Sequence, residues 1–270
     1  MRRFHFIGRL GDGDNTSVPV IQRDAEICDI QFVDTFGSLN FGIGDALAIL
    51  HSLGLKPSES AVDFVIFAAM VTAADTTVSR ARNAQNGWTR ELDVTIPVAD
   101  VTLWTAQSGL LARTLRFLTG DHWRLLFRAR PAGFEKLVAT PEELDLTTFD
   151  TVSLFSGGLD SLIGAIDMLS AGSNPLLVSH YWDSVTSKAQ KALLHSIGEK
   201  FPTKEIRSMR VRLGFDKNHA QTGEKEDSQR GRSLLFFGLA TLAASALNRQ
   251  IEVSVPENGL IGLNVPLDPL

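Results

Sequence analysis

The chain has 270 residues, of which 44% are hydrophobic and 21% charged, and 26 basic against 31 acidic residues give a net charge of -5. This composition excludes disordered and low-complexity proteins, and the acidic balance argues against a broad nucleic-acid-binding surface. The single cysteine, Cys28, can form neither an internal disulfide nor a thiolate zinc site, so we expect a reduced, cytoplasmic protein.

The first half of the chain mixes strand and helix patterns. Leu92, Val94 and Ile96 alternate with Asp93 and Thr95, which is typical of a half-buried strand. In chain order, the predicted elements are a strand at 3–7, helices at 44–53 and 60–82, a strand at 91–98, a helix capped by Asp100 and running to 118, and a strand at 122–129. We interpret residues 1–145 as a smaller α+β N-terminal domain.

The second half alternates regularly between strands and helices, after a stretch at 131–148 that holds two prolines and several acidic residues. Strands are predicted at 151–155, 176–180, 208–213 and 251–255, and helices at 161–169, 184–200 and 231–247. This order predicts a second domain, residues 146–270, with a parallel sheet covered by helices on both faces. Ligands of such sheets bind at the carboxyl ends of the strands.

Two apolar stretches, residues 61–74 and 233–247, are candidates for membrane-spanning helices by composition. Both are shorter than the roughly 20 residues needed to span a bilayer. The sequence therefore predicts two buried helices and no membrane partner.

The segment Ser156–Ser161, Ser-Gly-Gly-Leu-Asp-Ser, follows the first strand of the second half and opens a helix. Two glycines let the backbone turn sharply, and the helix N-terminus directs N–H groups at the same point, so the segment is typical of an anion site. Hydroxyls of Ser156 and Ser161 add donors for phosphate, and Asp160 is a candidate ligand of Mg²⁺. The Gly-Lys-Ser/Thr of a Walker loop is absent.

These six residues match the SGGxDS signature of the PP-loop ATP pyrophosphatases. Residues 154–169, 228–240 and 256–264 further resemble the QueC-like proteins of bacterial anti-phage operons, most closely the QatC proteins of the Qat system and next those of CBASS operons. The resemblance implies a C-terminal PP-loop fold, which is adenine nucleotide α-hydrolase-like. It also implies that Gly157, Gly158 and Leu159, with their neighbours in the loop, hold the pyrophosphate end of ATP.

The resemblance also implies a reaction. QueC activates the carboxylate of 7-carboxy-7-deazaguanine with ATP and delivers ammonia to make a nitrile, whereas the defence relatives join the activated deazaguanine to the N-terminus of a partner protein. Both routes adenylate a carboxylate and release pyrophosphate. We therefore expect an ATP- and Mg²⁺-dependent ligase that takes a deazapurine and a partner protein of the same operon. The alternatives are a nitrile-forming synthase and a non-catalytic nucleotide-binding subunit; direct nucleic-acid binding is not expected.

Three further sets of site residues follow from the resemblance. Arg232 would clamp phosphate and assist catalysis together with Asp160, although a solvated helix start is its plainer interpretation. The other candidates are Val178, Ser179 and His180 for the adenine, and Glu257, Asn258 and Gly259 for the deazapurine or the adenylate. A structural role for His180 and a simple turn at Asn258-Gly259 remain open.

Some residues depart from the QueC pattern or fit ordinary roles. The cysteine quartet that binds zinc in QueC enzymes is missing, so no zinc site is carried over. Relatives extend further than Leu270, so we expect a truncated C-terminus. Trp88, Trp104 and Trp123 are predicted to belong to the core. The remaining histidines are predicted to be ordinary surface or core residues: His5, His51, His122, His195 and His219.

Overall fold

The computed structural model describes residues 2–19, 24–145, 148–214, 222, 225–228 and 230–257. Within this part, the chain is an α/β protein with eight strands and seven helices, and the strands form two parallel sheets of four. The predicted α/β class is therefore confirmed.

The first sheet has the strand order β2-β1-β3-β4, and every neighbouring pair is parallel. Its strands are β1 (Arg3–Arg9), β2 (Ala25–Gln31), β3 (Glu91–Val98) and β4 (His122–Ala129), and its helices are α1 (Ile43–Ser52), α2 (Glu59–Thr77), α3 (Arg80–Asn83) and α4 (Val101–Thr119). The predicted α+β organisation of residues 1–145 is wrong, because β2 was not predicted and all four strands are parallel. Parallel strands need crossover connections; the one between β1 and β2 contains no helix in its described residues.

The predicted helix at 60–82 ends earlier, at Thr77, and a short helix follows. Arg90 explains the break, because its guanidinium donates to the carbonyl oxygens of Asp75 (2.9 Å) and Val78 (2.6 Å). These carbonyls lie at the helix end, where intrahelical donors run out. At the start of α4, Asp100 accepts a hydrogen bond from the Leu103 N–H at 2.9 Å, so its predicted capping role is confirmed.

The second sheet has the order β7-β6-β5-β8 and is also parallel throughout. Its strands are β5 (Thr151–Leu154), β6 (Pro175–His180), β7 (Ser208–Val211) and β8 (Glu252–Ser254), and its helices are α5 (Leu159–Ser170), α6 (Ser184–Lys200) and α7 (Arg232–Ser245). Each agrees with a predicted element within a few residues. The chain steps from β5 out to β7 and then returns to β8, so the strand order reverses beside β5.

Helices cover both faces of this second sheet, as predicted. On one face, Leu177 of β6 packs with Ala165 of α5 and Ile197 of α6. On the other face, Leu176 and Val178 join a large core shared with α7, α2 and the first sheet. Successive side chains of a strand point to opposite faces of the sheet. The continuous apolar sequence of β6 therefore contributes to the cores on both faces.

Helices α2 and α7 pack closely against each other across the predicted domain boundary. A Cβ placed on Gly238 of α7 would lie 3.5 Å from the Ala68 Cβ of α2, so the two backbones approach without a side chain between them. Helix α2 is long and apolar enough to cross a membrane, but 83% of that stretch is buried inside the fold. The predicted buried helices at 61–74 and 233–247 are confirmed, and the division at residue 145 stays a prediction.

Candidate functional site

The segment Ser156–Ser161 forms the turn between β5 and α5, at the carboxyl edge of the second sheet. Gly157 has φ 87°, in the left-handed region that favours glycine, and a Cβ there would lie 2.8 Å from the Gln190 Cγ. Gly158 is the N-cap of α5 and makes no side-chain cap hydrogen bond. Because the first turn of a helix leaves N–H groups without intrahelical acceptors, these donors face the turn.

Serine hydroxyls hold the turn in shape. Ser156 Oγ donates to Ser161 Oγ (3.2 Å), and Ser161 Oγ donates to the Gly158 carbonyl (2.9 Å). The Gly157 N–H donates to Ser161 Oγ at 3.2 Å, and the Gly158 N–H to Ser156 Oγ at 3.4 Å. The two hydroxyls that the sequence assigned to phosphate are therefore engaged within the turn, and Ser156 is the one that solvent reaches.

A cavity of about 420 Å³, which we call the loop cavity, opens beside this turn where the strand order reverses. Four of the predicted site residues line it: Ser156, Ser161, Arg232 and Glu257. The carboxyl ends of β5 and β8 and the N-terminus of α7 meet there. Crevices at such a reversal are the usual ligand sites of open parallel sheets. The donors, cationic side chain and helix N-terminus suit a phosphate group.

Arg232 is the first residue of α7, and its guanidinium lies over two aromatic rings. The guanidinium carbon is 5.6 Å from the ring centre of Trp182 and 5.5 Å from that of Phe236. Stacking of this kind holds a guanidinium in place. Arg232 is thus a positioned cation that lines the same cavity as Ser156 and Ser161.

Val178, Ser179 and His180 lie beneath the turn and are buried. Two of their polar groups bond to Phe155: the Val178 carbonyl accepts from the Phe155 N–H (2.7 Å), and Ser179 Oγ donates to the Phe155 carbonyl (2.7 Å). None of the three lines the loop cavity. Adenine binding by their backbone stays a prediction.

His180 occupies an aromatic cluster at the end of β6. Its ring lies edge-on to Trp182, with centroids 4.4 Å apart, and Nε2 donates to the Leu213 carbonyl at 2.8 Å. Nδ1 is buried and has no partner among the described residues. This packing favours the structural interpretation of His180 over a role in proton transfer.

Burial lowers the pKa of His180 below its ordinary value of about 6.5, against a raising effect of the Leu213 carbonyl, and Arg232 lowers it further. A histidine whose pKa is depressed in the folded state stabilises the fold above pH 6.5, and the stability falls as the pH drops below that value. We expect the His180→Gln variant, whose amide can still donate to Leu213, to lose less unfolding free energy between pH 7.5 and 5.5 than the wild type. Unfolding by guanidinium chloride at both pH values measures the two free energies. Equal losses in the variant and the wild type would contradict the prediction.

Asp160 lies exposed in the first turn of α5 and does not line the loop cavity in the described part of the chain. No three His, Cys, Asp or Glu side chains come together as a metal site among the described residues. A Mg²⁺ ion bound by Asp160 would take its other ligands from phosphate and water, which is how this ion commonly binds. Asp160 is the one carboxylate of the Ser156–Ser161 turn, and its exposure leaves it accessible to such an ion.

Three of the residues named in the sequence analysis, Asn258, Gly259 and His219, fall outside the described residues. Trp104 and Trp123 are buried, as predicted, but the core prediction for Trp88 is wrong, because its side chain is 51% exposed beneath the Arg230 guanidinium.

Sequence reasoning missed Gln190, which supports the turn from α6. Its Nε2 donates to the Ser156 carbonyl (3.1 Å) and to the His180 carbonyl (3.0 Å), and the residue is fully buried. Gln190 therefore ties the turn to the end of β6. A single amide in a polar helix gives no pattern by which it could be found.

No protein-family model matches the chain, and neither a curated protein nor a solved structure matches it. The likeness to the PP-loop ATP pyrophosphatases therefore depends on the Ser156–Ser161 motif and its place between a parallel strand and a helix.

Proposed function

We propose that this protein is a PP-loop enzyme that uses ATP to adenylate the carboxylate of 7-carboxy-7-deazaguanine or a related deazapurine. The activated group then passes to an amine, which we assign to the N-terminus of a partner protein encoded in the same anti-phage defence operon. We place this activity in the cytoplasm.

One observation carries the proposal. The Ser156–Ser161 turn lies at the carboxyl end of β5, beside the reversal of strand order, and Ser156 and Ser161 line one cavity together with Arg232. Helix N–H groups on one side and a fixed cation on the other suit a polyphosphate chain. The QueC-like motif supports ATP as the source of that chain.

This arrangement supports a reaction in two steps. An oxygen of the substrate carboxylate attacks the α-phosphorus of ATP, the bond to the β,γ-pyrophosphate breaks, and an acyl adenylate forms. Charge that develops on the departing pyrophosphate is stabilised by the N–H groups at the start of α5 and by Arg232. When bound, Mg²⁺ would add further charge neutralisation. An attacking amine then releases AMP.

Pyrophosphate release from Mg-ATP, measured with and without 7-carboxy-7-deazaguanine, tests the proposal. We expect release that depends on the deazapurine and falls at least about tenfold in the Asp160→Asn variant, because a metal ligand is lost. Asp167→Asn is the matched control, since Asp167 is an exposed carboxylate on the same helix. It should leave release unchanged.

The same assay separates the alternatives. Release followed by formation of a nitrile from ammonia would identify a 7-cyano-7-deazaguanine synthase. Binding of Mg-ATP without release, at every deazapurine concentration, would identify a non-catalytic nucleotide-binding subunit and overturn the proposed reaction.

A further inference from the structure

A second cavity, of about 570 Å³, lies where the C-terminal end of α2 meets the carboxyl ends of β6 and β7. We call it the interface cavity, because both halves of the chain line it. Its walls include Thr72 and Thr76 of α2, Trp182 and Asp183 after β6, Glu226, and Arg232. Arg232 also lines the loop cavity, so the two cavities adjoin at this side chain.

We propose that the interface cavity binds the planar heterocycle of the carboxylate substrate, a guanine-like deazapurine, with its carboxylate directed at Arg232. This rests on the proposed function for the identity of the substrate. It adds that the first half of the chain, through α2, supplies one wall of the substrate site.

The aromatic wall of the cavity suits a flat ring. Trp182 is held edge-on against His180, with an interplanar angle of 88°, and by the guanidinium of Arg232. A tryptophan fixed in this way is a stacking surface for a heterocycle. Because His180 is itself buried, the orientation of Trp182 is set by the core.

The polar groups of the cavity favour a guanine-like ring over an adenine ring. Two hydrogen bonds position Glu226. Its backbone N–H donates to the Thr76 carbonyl (2.8 Å), and its carboxylate accepts from the Arg80 backbone N–H (2.9 Å). Asp183 accepts from the Thr186 N–H at 2.7 Å. A carboxylate has about four acceptor positions, so both retain capacity for further donors. The pyrimidinone edge of a guanine-like base presents adjacent ring and amino N–H donors, whereas adenine presents an amino donor beside a ring-nitrogen acceptor, which a carboxylate does not match.

The position of Arg232 meets the geometric requirement of the reaction. Adenylation needs the substrate carboxylate and the α-phosphorus at bonding distance, so their sites must adjoin. Phosphate at the Ser156–Ser161 turn and a heterocycle against Trp182 place both reacting groups at the shared guanidinium. A cation between two anions offsets their repulsion.

Calorimetric titration of 7-carboxy-7-deazaguanine and, separately, of α,β-methylene ATP tests the assignment. The Glu226→Gln variant can still accept from the Arg80 N–H, but it replaces an anionic acceptor for the ring and amino N–H donors with an amide that has one acceptor oxygen. We expect its Kd for the deazapurine to rise about 10- to 100-fold, with the Kd for the ATP analogue unchanged within about twofold. Glu199→Gln is the control, because Glu199 is exposed on α6 and lines neither cavity.

A second measurement does not depend on Glu226. The deazapurine should quench tryptophan emission of the wild type and of Trp88→Phe, and should quench Trp182→Phe much less. Trp88 is the suitable control, since it lies outside both cavities and is half exposed.

The outcomes separate this inference from the proposed function. Deazapurine affinity that is unaltered in Glu226→Gln, or a loss of ATP-analogue affinity in its place, would overturn the assignment while pyrophosphate release stands. If the wild type binds neither 7-carboxy-7-deazaguanine nor 7-deazaguanine, the assignment of the interface cavity is also overturned. Binding of the deazapurine with the expected variant effects, but without pyrophosphate release, would support the cavity and refute the reaction.

Discussion

Replacing Arg90 with methionine is expected to lower the free energy of unfolding by about 3–5 kcal/mol, the usual cost of leaving buried charges without their partner. Arg90 is fully buried, and its guanidinium donates to Asp75 Oδ1 (2.5 Å) and Asp121 Oδ2 (2.7 Å). Both carboxylates are buried as well, so the substitution leaves two buried acidic groups that share the single guanidinium of Arg80. Chemical unfolding monitored by circular dichroism measures the loss.

The electrostatics of Asp121 show why this loss is large. Burial alone would raise the pKa of Asp121, but the hydrogen bonds and charge of Arg90, aided by Arg80, hold it below its ordinary value. Removing the Arg90 side chain therefore takes away the largest of the effects that lower the pKa of this carboxyl, while its burial remains. The same cluster also reaches the second half of the chain, because Asp75 Oδ2 accepts from the Gly231 N–H at the start of α7 (3.4 Å).

The control for this prediction is Arg2→Met. Arg2 pairs with Glu26 at 2.6 Å, but both side chains are about half exposed, at 52% and 47%. Exposed pairs contribute about 0–1 kcal/mol, so this variant should change stability little. Equal losses for Arg90→Met and Arg2→Met would show that the buried cluster does not hold the charges as described.

Replacing Gly157 with alanine is expected to lower the unfolding free energy by about 2–3 kcal/mol and to abolish Mg-ATP binding. The left-handed backbone at φ 87° is costly for any residue with a Cβ, and that atom would lie 2.8 Å from the Gln190 Cγ. Relief of either strain moves the turn that opens α5. Unfolding titrations and the thermal shift produced by Mg-ATP measure the two effects.

Gly158→Ala is the matched comparison one residue away. Gly158 has an extended backbone, φ -92° and ψ 173°, and an added Cβ would meet only Ser156 Oγ at 3.5 Å. We expect a loss of at most about 1 kcal/mol in unfolding free energy, because alanine is a poorer N-cap than glycine but meets no close contact. Wild-type stability in Gly157→Ala would refute the strained geometry, and a retained thermal shift would show that the turn is not the ATP site.

Elements with strong periodicity could be predicted from the sequence. The bounds of β3, β4 and α6 agree with the prediction to the residue, because alternating or helical spacing ends there at proline, glycine or capping residues. Strand β2 was missed although Cys28 and Ile30 are buried and alternate with exposed neighbours. Short edge strands with charged side chains give a weak signal.

The candidate site could be predicted only where local sequence defines it. The Ser156–Ser161 turn was identified because its glycines and following helix are consecutive in the chain. The interface cavity could not be, since Thr76, Trp182 and Glu226 come together only when α2 packs beside the second sheet. Their proximity depends on long-range packing that no spacing in the sequence records.

The close packing of α2 against α7 has a consequence for engineering the protein. Residues 146–270 expressed alone would expose the side of α7 that now meets Val65 and Ala68 of α2 at Gly238. A fragment with such a surface self-associates. We therefore expect that the second half of the chain does not fold as an independent unit, and that swaps between relatives should exchange α2 and α7 together.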